Sequence, residues 1–161
     1  MYRIALDSPL GPLEITEVDG AIARVRIGKP GDVNGAGEMD ETPLLLEAKA
    51  QIKAYFEHRK TPFELSLVPA ATAFQQRMRD FMLAIPAGET RSYGEAARFL
   101  ASAPRAVGQA CGRNPIPIIV PCHRIIAAAG RIGGFSGGKG VPTKRLLLAL
   151  EAKTLNRRMP T

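Results

Sequence analysis

Hydrophobic and polar residues alternate along much of the first third of the chain, as they do in half-buried β-strands. The alternation predicts strands at Tyr2–Leu6, Leu13–Val18 and residues 22–27, and Asp19-Gly20 is a strong signal for a hairpin between the second and third strands. A further apolar stretch at residues 63–67 predicts a fourth strand. The pattern therefore indicates a small β-rich unit at the start of the chain.

Beyond this unit the apolar residues recur mainly at helical spacing. Thr42-Pro43 has the cap and first-turn proline of a helix start, and the glycine-rich segment 28–41 before it predicts a mobile loop. Later in the chain, Ser92 opens a short helix with a capping box, and a second helix at residues 105–113 follows after a tight turn. Two short helices joined in this way are typical of a helix-turn-helix, although many such pairs bind nothing.

The pattern changes near residues 68–71, which places a domain boundary there. We predict a β-rich N-terminal domain at residues 1–70 and a mostly helical C-terminal domain at residues 71–161, and hence an α+β fold. In the second domain, a short apolar run at residues 116–120 is broken by a proline and delivers the chain to Cys122.

The charge of the chain is distributed unevenly between these two parts. The formal net charge of the whole chain is +7 at neutral pH. Residues 1–70 contain 8 lysines and arginines against 11 aspartates and glutamates, whereas residues 71–161 contain 14 against 4. A domain-sized block with a net charge of +10 is typical of a protein that binds a polyanion, although many basic domains are merely soluble.

The composition disfavours several classes of protein. No apolar run approaches the roughly 20 residues that a membrane helix needs, and Asp7 lies where a signal peptide would have its apolar stretch. We therefore expect a cytoplasmic protein, nucleoid-associated if it binds DNA. The only two cysteines, Cys111 and Cys122, should remain thiols there, and with the two histidines they lack the paired spacing of a zinc site.

The strongest candidate for chemistry is the dipeptide Cys122-His123. A cysteine is nucleophilic as its thiolate, and a neighbouring base oriented by a carboxylate is the usual way to generate one. Glu151, on a predicted final helix from Thr143 to about residue 153, could reach the imidazole. From spacing alone, however, such a Cys-His pair is more often structural than catalytic.

A second candidate feature is the concentration of glycines in residues 130–140. Glycine lets a backbone approach a flat ligand closely, as a pocket for a nucleobase requires, and Ser136 could donate a hydrogen bond to such a ligand. The composition leaves an ordinary flexible surface loop open as the alternative.

Together, these segments resemble the O6-alkylguanine-DNA alkyltransferases, also called methylated-DNA–protein-cysteine methyltransferases. The resemblance is dense from about residue 72 to residue 151 and looser over residues 1–70, and its specificity comes from the order and spacing of the motifs. These are FQQ at 74–76, GETRSYG at 88–94, RAVGQACGRNP at 105–115, PCHR at 121–124 and GGFSGG at 133–138. The resemblance implies a ribonuclease H-like N-terminal domain followed by a C-terminal domain with a helix-turn-helix.

The resemblance also implies a function, which is direct reversal of DNA damage. An alkyl group, such as methyl, would move irreversibly from O6 of guanine to Cys122 of the protein itself, once per molecule and without a cofactor or metal; O4-alkylthymine is a further candidate substrate. His123 would activate Cys122 through a water molecule and would be oriented by Glu151. Asn114 would brace the turn before the active-site strand, and Tyr93 would donate a proton or hydrogen bond to guanine N3.

Other implied roles concern the base and the DNA. The partner would be double-stranded DNA containing O6-alkylguanine, bound by a monomer through the minor groove and largely independent of sequence. Arg105 would enter the base stack as the damaged base swings out. The pocket for that base would be formed by Ser136, Val120, Pro117, Ile125 and Gly133, with Lys144 supporting the departing base. The other residues expected to contact DNA are Ala106, Gly108, Arg113, Ser92 and Thr90.

Three features depart from the family pattern or lie outside it. Arg79 stands where the family usually has an aromatic residue, so it either alters the packing against the N-terminal domain or lies on the surface with its stem over apolar neighbours. Residues 139–142 lengthen the loop beside the pocket, so the position of Lys144 relative to the pocket depends on the conformation of this loop. We expect the second cysteine, Cys111, to be buried and inert.

Three other functions are compatible with parts of the pattern. Alkyltransferase-like proteins recognise damaged guanine without accepting the alkyl group, but they characteristically lack the reactive cysteine, which is present here as Cys122. A cysteine hydrolase would turn over repeatedly and would leave Arg105 and the basic half of the chain unexplained. A plain transcription factor would need a dimer and side chains that read the bases.

Overall fold

The computed structural model describes residues 1–28, 40–57 and 62–156, and the loop predicted over residues 28–41 lies almost entirely outside these ranges. The described chain has an α+β architecture, in which a small sheet and one helix precede a mainly helical part. The elements are β1 (Tyr2–Leu6), β2 (Leu13–Val18), β3 (Ala21–Ile27), α1 (Pro43–Phe56), α2 (Ala73–Leu83), β4 (Arg91–Ser92), α3 (Tyr93–Phe99), α4 (Pro104–Gly112), β5 (Ile125–Ile126) and α5 (Val141–Asn156), with 3-10 turns at Cys122–Arg124 and Ala128–Gly130.

The first three strands form an antiparallel sheet in the order β1-β2-β3. Asp19 and Gly20, which connect β2 to β3, both have positive φ, as a type I′ hairpin turn requires. Alternate residues of β2 are buried, so one face of the sheet belongs to the core and the other faces solvent. The three predicted strands and their hairpin are confirmed.

Helix α1 covers the buried face of this sheet. The Thr42 hydroxyl accepts a hydrogen bond from the backbone N–H of Leu45 at 3.1 Å and caps the helix, as predicted. The same hydroxyl donates to Glu17 of β2, so the cap also ties the helix to the sheet. Leu45, Ala48 and Ile52 form the buried face of the helix.

The strand predicted at residues 63–67 is wrong except for one residue. Leu67 makes a single parallel bridge to Ile22, with the Ile22 N–H donating to Ser66 and the Val68 N–H donating to Ile22. The outer edge of β3 is shared, because the Val25 N–H donates to Pro115 at 3.0 Å. Two different segments thus use one edge, and neither forms a continuous ladder with it.

The helical part contains the predicted pair α3 and α4. Ser92 caps α3 in a reciprocal capping box with Glu95, and α4 begins with Pro104 in its first turn. The two helices pack against each other and are joined by residues 100–103. Within the described ranges, no helix is long and apolar enough to cross a bilayer.

The apolar run at residues 116–120 is a series of turns. Val120 N–H donates to Ile116, and Ile118 has a φ of 74°. Prolines at positions 115, 117 and 121 have no N–H to donate, so the run cannot complete a strand ladder. The strand at this site is instead β5, which follows Cys122 and pairs in parallel with β4.

Arg79 links α2 to the segment between the two parts of the chain. Its side chain is only 6% exposed, and its Nη1 donates to the carbonyl oxygen of Val68 at 2.6 Å. The alternative in which Arg79 lies on the surface is therefore wrong.

Candidate active site

Cys122 lies at the wall of a cleft with a volume of about 1280 Å³. The cysteine is only 7% exposed and belongs to a 3-10 turn between the proline-rich run and β5. The cleft is lined by residues of β3, α4 and the glycine-rich loop. Of the residues predicted from the sequence, it is lined by Cys122, Tyr93, Asn114, Pro117, Arg105, Gly108 and Ser136.

Asn114 holds the turn that leads to Cys122. Its Nδ2 donates to the carbonyl oxygen of Val120 at 2.9 Å, and its Oδ1 accepts from the N–H of Ile116 at 3.0 Å. Both ends of the amide are thus used within one turn, which fixes its orientation. The same side chain lies close enough to Cys122 to favour the thiolate by hydrogen bonding.

His123, next to Cys122, is fully buried and contacts a carboxylate. Its Nε2 lies 2.7 Å from Oε2 of Glu151 on α5. Arg124 donates two hydrogen bonds to the same carboxylate, from Nε and Nη2, both at 2.9 Å. Its Nη1 donates to the carbonyl oxygen of Ile85 at 2.6 Å. The Tyr55 hydroxyl donates to Glu151 Oε2 at 2.6 Å. Four residues from three parts of the chain therefore meet behind the cysteine.

Burial and hydrogen bonding set the charges at this site. Burial would raise the pKa of Glu151, but hydrogen bonds from His123 and Arg124 outweigh it and lower that pKa, so the carboxylate is ionised. An ionised carboxylate only accepts, so Nε2 of His123 carries a proton. Burial lowers the pKa of His123, and the neutral imidazole has Nδ1 as an acceptor with no hydrogen-bond partner among the described residues. Burial raises the pKa of Cys122, so its resting form is the thiol.

Tyr93 and Lys144 form a second polar group beside the cleft. Tyr93 lines the cleft, and burial raises the pKa of its phenol, which stays protonated. Lys144 Nζ lies 5.7 Å from the centre of the Tyr93 ring and donates to the carbonyl oxygens of Ile125 and Gly134 at 2.6 and 3.2 Å. The Lys144 ammonium is thus held behind Tyr93 by backbone and does not line the cleft.

Several other predicted site residues lie away from the cleft surface. Val120 and Ile125 are fully buried and support its wall from behind. Ser136 lines the cleft, but its hydroxyl donates to the carbonyl oxygen of Gly112 at 3.3 Å. The predicted residues that do not line the cleft are His123, Glu151, Val120, Ile125, Gly133, Lys144, Ala106, Arg113, Ser92 and Thr90.

Cys111 differs from its prediction. It is half-buried and lines the same cleft as Cys122, so the expectation of a buried residue is wrong. Burial raises the pKa of its thiol to about 12, which leaves it protonated at neutral pH. Its inertness stays a prediction.

The sequence did not reveal three residues that the structure brings to the site. Tyr55 reaches Glu151 from α1, and Arg24 and Arg26 of β3 line the cleft. Tyr55 has no local feature that distinguishes it from an ordinary aromatic residue near a helix end. For the two arginines a signal existed, because they occupy the solvent-facing positions of the predicted third strand.

No metal site is formed by the part of the chain that the structure describes, since no three His, Cys, Asp or Glu side chains converge there.

The site offers a buried thiol, a neutral base, an orienting carboxylate and a protonated phenol around one cleft. These groups can deprotonate a nucleophile and stabilise a leaving group.

Comparison with family models matches both parts of the chain. Residues 1–69 match the model described as 6-O-methylguanine DNA methyltransferase, ribonuclease-like domain, and residues 73–153 match the one described as 6-O-methylguanine DNA methyltransferase, DNA binding domain. The predicted fold class is confirmed by these matches and by the architecture.

Similar proteins are found along nearly the whole length of the chain. The methylated-DNA--protein-cysteine methyltransferase of Mycobacterium leprae (strain TN) is 41% identical over 150 residues, which cover 91% of this chain and 90% of the relative. The constitutive enzyme of that name from Bacillus subtilis (strain 168) is 39% identical, with 93% and 94% covered. The crystal structure of Mycobacterium tuberculosis OGT in complex with DNA superposes with a TM-score of 0.82 at 39% identity, covering 96% of this chain and 94% of that one.

Proposed function

Because this chain belongs to the methylated-DNA–protein-cysteine methyltransferase family, we propose that Cys122 is the cysteine to which it transfers an alkyl group from O6 of guanine. The chain is a DNA-binding repair enzyme that moves a methyl group from DNA to a cysteine. The observation that carries the proposal is the position of Cys122 at the cleft wall, next in the chain to His123, which contacts Glu151.

The first chemical step is removal of the thiol proton. Nδ1 of His123 accepts this proton through a water molecule, since Nε2 is already committed to Glu151. Glu151 stabilises the imidazolium that forms, and Lys144 and Asn114 favour the thiolate of Cys122. The base is necessary because burial keeps the resting cysteine in its thiol form.

The second step is an in-line displacement at the alkyl carbon. A bond forms between Sγ of Cys122 and the carbon, the bond from the carbon to O6 breaks, and its electron pair stays on guanine. The proton taken from the thiol replaces the alkyl group on the base, so the products are S-alkylcysteine and guanine. Tyr93 donates a hydrogen bond to N3 as charge develops on the leaving base. A thioether is stable in water, so each molecule reacts once.

The alkylated oxygen becomes accessible only when the base leaves the helix stack. Unstacking costs a few kcal/mol, and Arg105, exposed on α4 at the rim of the cleft, occupies the space left by the base. Gly108 on the same face of α4 permits close approach of the helix to the minor groove. A monomer suffices for this arrangement, because the cleft, the cysteine and α4 belong to one chain. O4-alkylthymine carries its alkyl group on a comparable ring oxygen and is a second candidate substrate.

Mass spectrometry of the intact protein with a duplex containing one O6-methylguanine tests the proposal. We expect a gain of one methyl group, mapped to Cys122 and stopping at one per molecule. Cys122→Ala should abolish the gain, whereas the matched Cys111→Ala should retain it. Methylation of Cys111 in the intact protein, or binding of the duplex without any gain in mass, would overturn the assignment.

The role of Arg105 is tested separately by comparing two substrates. Arg105→Ala should slow transfer from the duplex by at least tenfold, because base flipping loses about 1.4 kcal/mol or more of support. The same variant should react normally with free O6-benzylguanine, which needs no flipping. Equal slowing on both substrates would show that Arg105 does not act on the DNA helix.

A further inference from the structure

One part of the cleft wall is built by the N-terminal domain. Four consecutive residues of β3 line it, of which Val25 and Ile27 are buried and Arg24 and Arg26 are exposed. Residues two apart on a strand lie on the same face, roughly 7 Å from each other. Arg24 and Arg26 therefore lie on one face of β3, and both line the same cleft as Arg105.

Two contacts along β3 hold the strand at the cleft. The Val25 N–H donates to Pro115 at 3.0 Å, just before the turn that holds Cys122. At the end of the strand, Ile27 packs so closely on the glycine-rich loop that a Cβ added to Gly138 would lie 2.9 Å from Ile27 Cγ2. Arg24 and Arg26 therefore lie on a strand that is hydrogen-bonded to Pro115, just before the turn of Cys122, and that packs against the glycine-rich loop.

Within residues 1–28, 40–57 and 62–156, neither Arg24 nor Arg26 makes a salt bridge. Glu14 stands opposite Arg26 in the β2–β3 register, but its Oε2 lies 3.6 Å from Arg3. Arginine binds phosphate through paired N–H groups, and two such residues on one strand present a short row of phosphate-binding groups.

The size of the cleft indicates what these groups would bind. Its 1280 Å³ exceeds the roughly 300–1000 Å³ of typical small-molecule sites, so a single flipped base would leave much of it unfilled. The side lined by β3 can accommodate the sugar-phosphate backbone that accompanies the base.

We propose that Arg24 and Arg26 form a second DNA contact, on the N-terminal domain, which binds backbone phosphates next to the flipped nucleotide. This inference rests on the proposed function, because it assumes that the base of a DNA strand enters the cleft. DNA would then be held between α4 and β3, and the sheet domain would take part directly in binding.

The salt dependence of DNA affinity tests this contact. Each phosphate contact contributes about 0.9 to the slope of log affinity against log salt, so Arg24→Ala/Arg26→Ala should make the slope shallower by about 2 and lower the affinity about tenfold at physiological salt. The matched control is Lys49→Ala/Lys53→Ala, which removes two positive charges from α1 of the same domain, away from the cleft. The control should keep the wild-type slope.

Two further measurements separate the possible failures. The double arginine variant should react with free O6-benzylguanine at the wild-type rate, and Arg24→Lys/Arg26→Lys, which retains both charges, should keep the wild-type slope. The inference alone would be overturned if Arg24→Ala/Arg26→Ala had the same slope as the Lys49→Ala/Lys53→Ala control. It would also be overturned if Arg24→Lys/Arg26→Lys made the slope as shallow as Arg24→Ala/Arg26→Ala does. Absence of transfer to Cys122 in the wild-type protein from either substrate would overturn the proposed function instead.

Discussion

At the scale of single residues, one glycine of the glycine-rich loop is required by its contact with Tyr93. Gly133 has a φ of 75°, and a Cβ added there would lie 3.0 Å from Cε2 and 3.1 Å from the hydroxyl of Tyr93. Both the backbone conformation and the aromatic ring therefore require glycine. Gly133→Ala should destabilise the protein by about 1–2 kcal/mol and slow transfer from free O6-benzylguanine, because the Tyr93 ring must shift. Single-turnover kinetics and urea unfolding measure the two effects.

The neighbouring glycine provides the control for that substitution. Gly134 lacks a positive φ, and a Cβ added to it meets no atom within 4 Å. Gly134→Ala should therefore react at nearly the wild-type rate, since alanine fits there without moving Tyr93. Equal rates for the two alanine variants would show that the contact with Tyr93 does not matter for the reaction.

At the scale of elements, the Tyr55 hydroxyl connects α1 of the sheet domain to α5, which carries Glu151. Burial raises the pKa of Tyr55, as does the adjacent carboxylate, so the phenol remains a hydrogen-bond donor at any ordinary pH. Tyr55→Phe removes a hydrogen bond to a charged group and should lower the free energy of unfolding by about 1.5–3 kcal/mol. Urea denaturation monitored by circular dichroism measures this loss.

Tyr2→Phe is the matched control, because Tyr2 is 50% exposed on β1 and far in the chain from the site. Its loss of a solvated hydroxyl should change stability by no more than about 0.5 kcal/mol. If both variants unfold at the same urea concentration, the hydrogen bond between α1 and α5 contributes nothing measurable.

At the scale of the whole molecule, the buried site should make folding sensitive to acid. The pKa of His123 is lowered by burial and that of Glu151 by its hydrogen bonds, so in both cases the unfolded chain binds protons more readily than the folded one. Both groups therefore contribute their full stabilisation above about pH 6.5, the pKa of histidine in the unfolded chain. As the pH falls below that value, the contribution of His123 is lost first. Below about pH 4.3 the contribution of Glu151 is lost as well. Urea unfolding at pH 7.5 and pH 5.0 should show lower stability at pH 5.0.

A variant assigns the upper part of this pH dependence. Asparagine does not titrate, so in His123→Asn the difference in stability between pH 5.0 and pH 7.5 should shrink. An undiminished difference would mean that other groups cause the acid sensitivity.

Local features of the chain were predictable because they depend on residues close together in sequence. The alternation in β1–β3, the Asp19-Gly20 hairpin and the Ser92 capping box are all set within a few residues. The apolar run at residues 116–120 was not assigned to an element, because hydrophobic character alone does not tell a strand from a buried series of turns. Pro117, which breaks the run, is consistent with the turns found there, since proline has no N–H to donate to a strand ladder.

By itself, the sequence determined the family and the architecture and made Cys122-His123 the candidate dipeptide for chemistry, since these follow from motif order and local pattern. Only the tertiary structure decided which groups surround them. Tyr55 and Glu151 are 96 positions apart, and the hydrogen bond between them exists because folding brings Tyr55 of α1 to Glu151 of α5. Likewise, Arg24 and Arg26 occupy ordinary solvent-facing positions of a strand, and they lie at the cleft because β3 is fastened to the turn before Cys122. Periodicity and capping act over a few residues, whereas burial, charge and hydrogen bonding at the site depend on segments that only folding brings together.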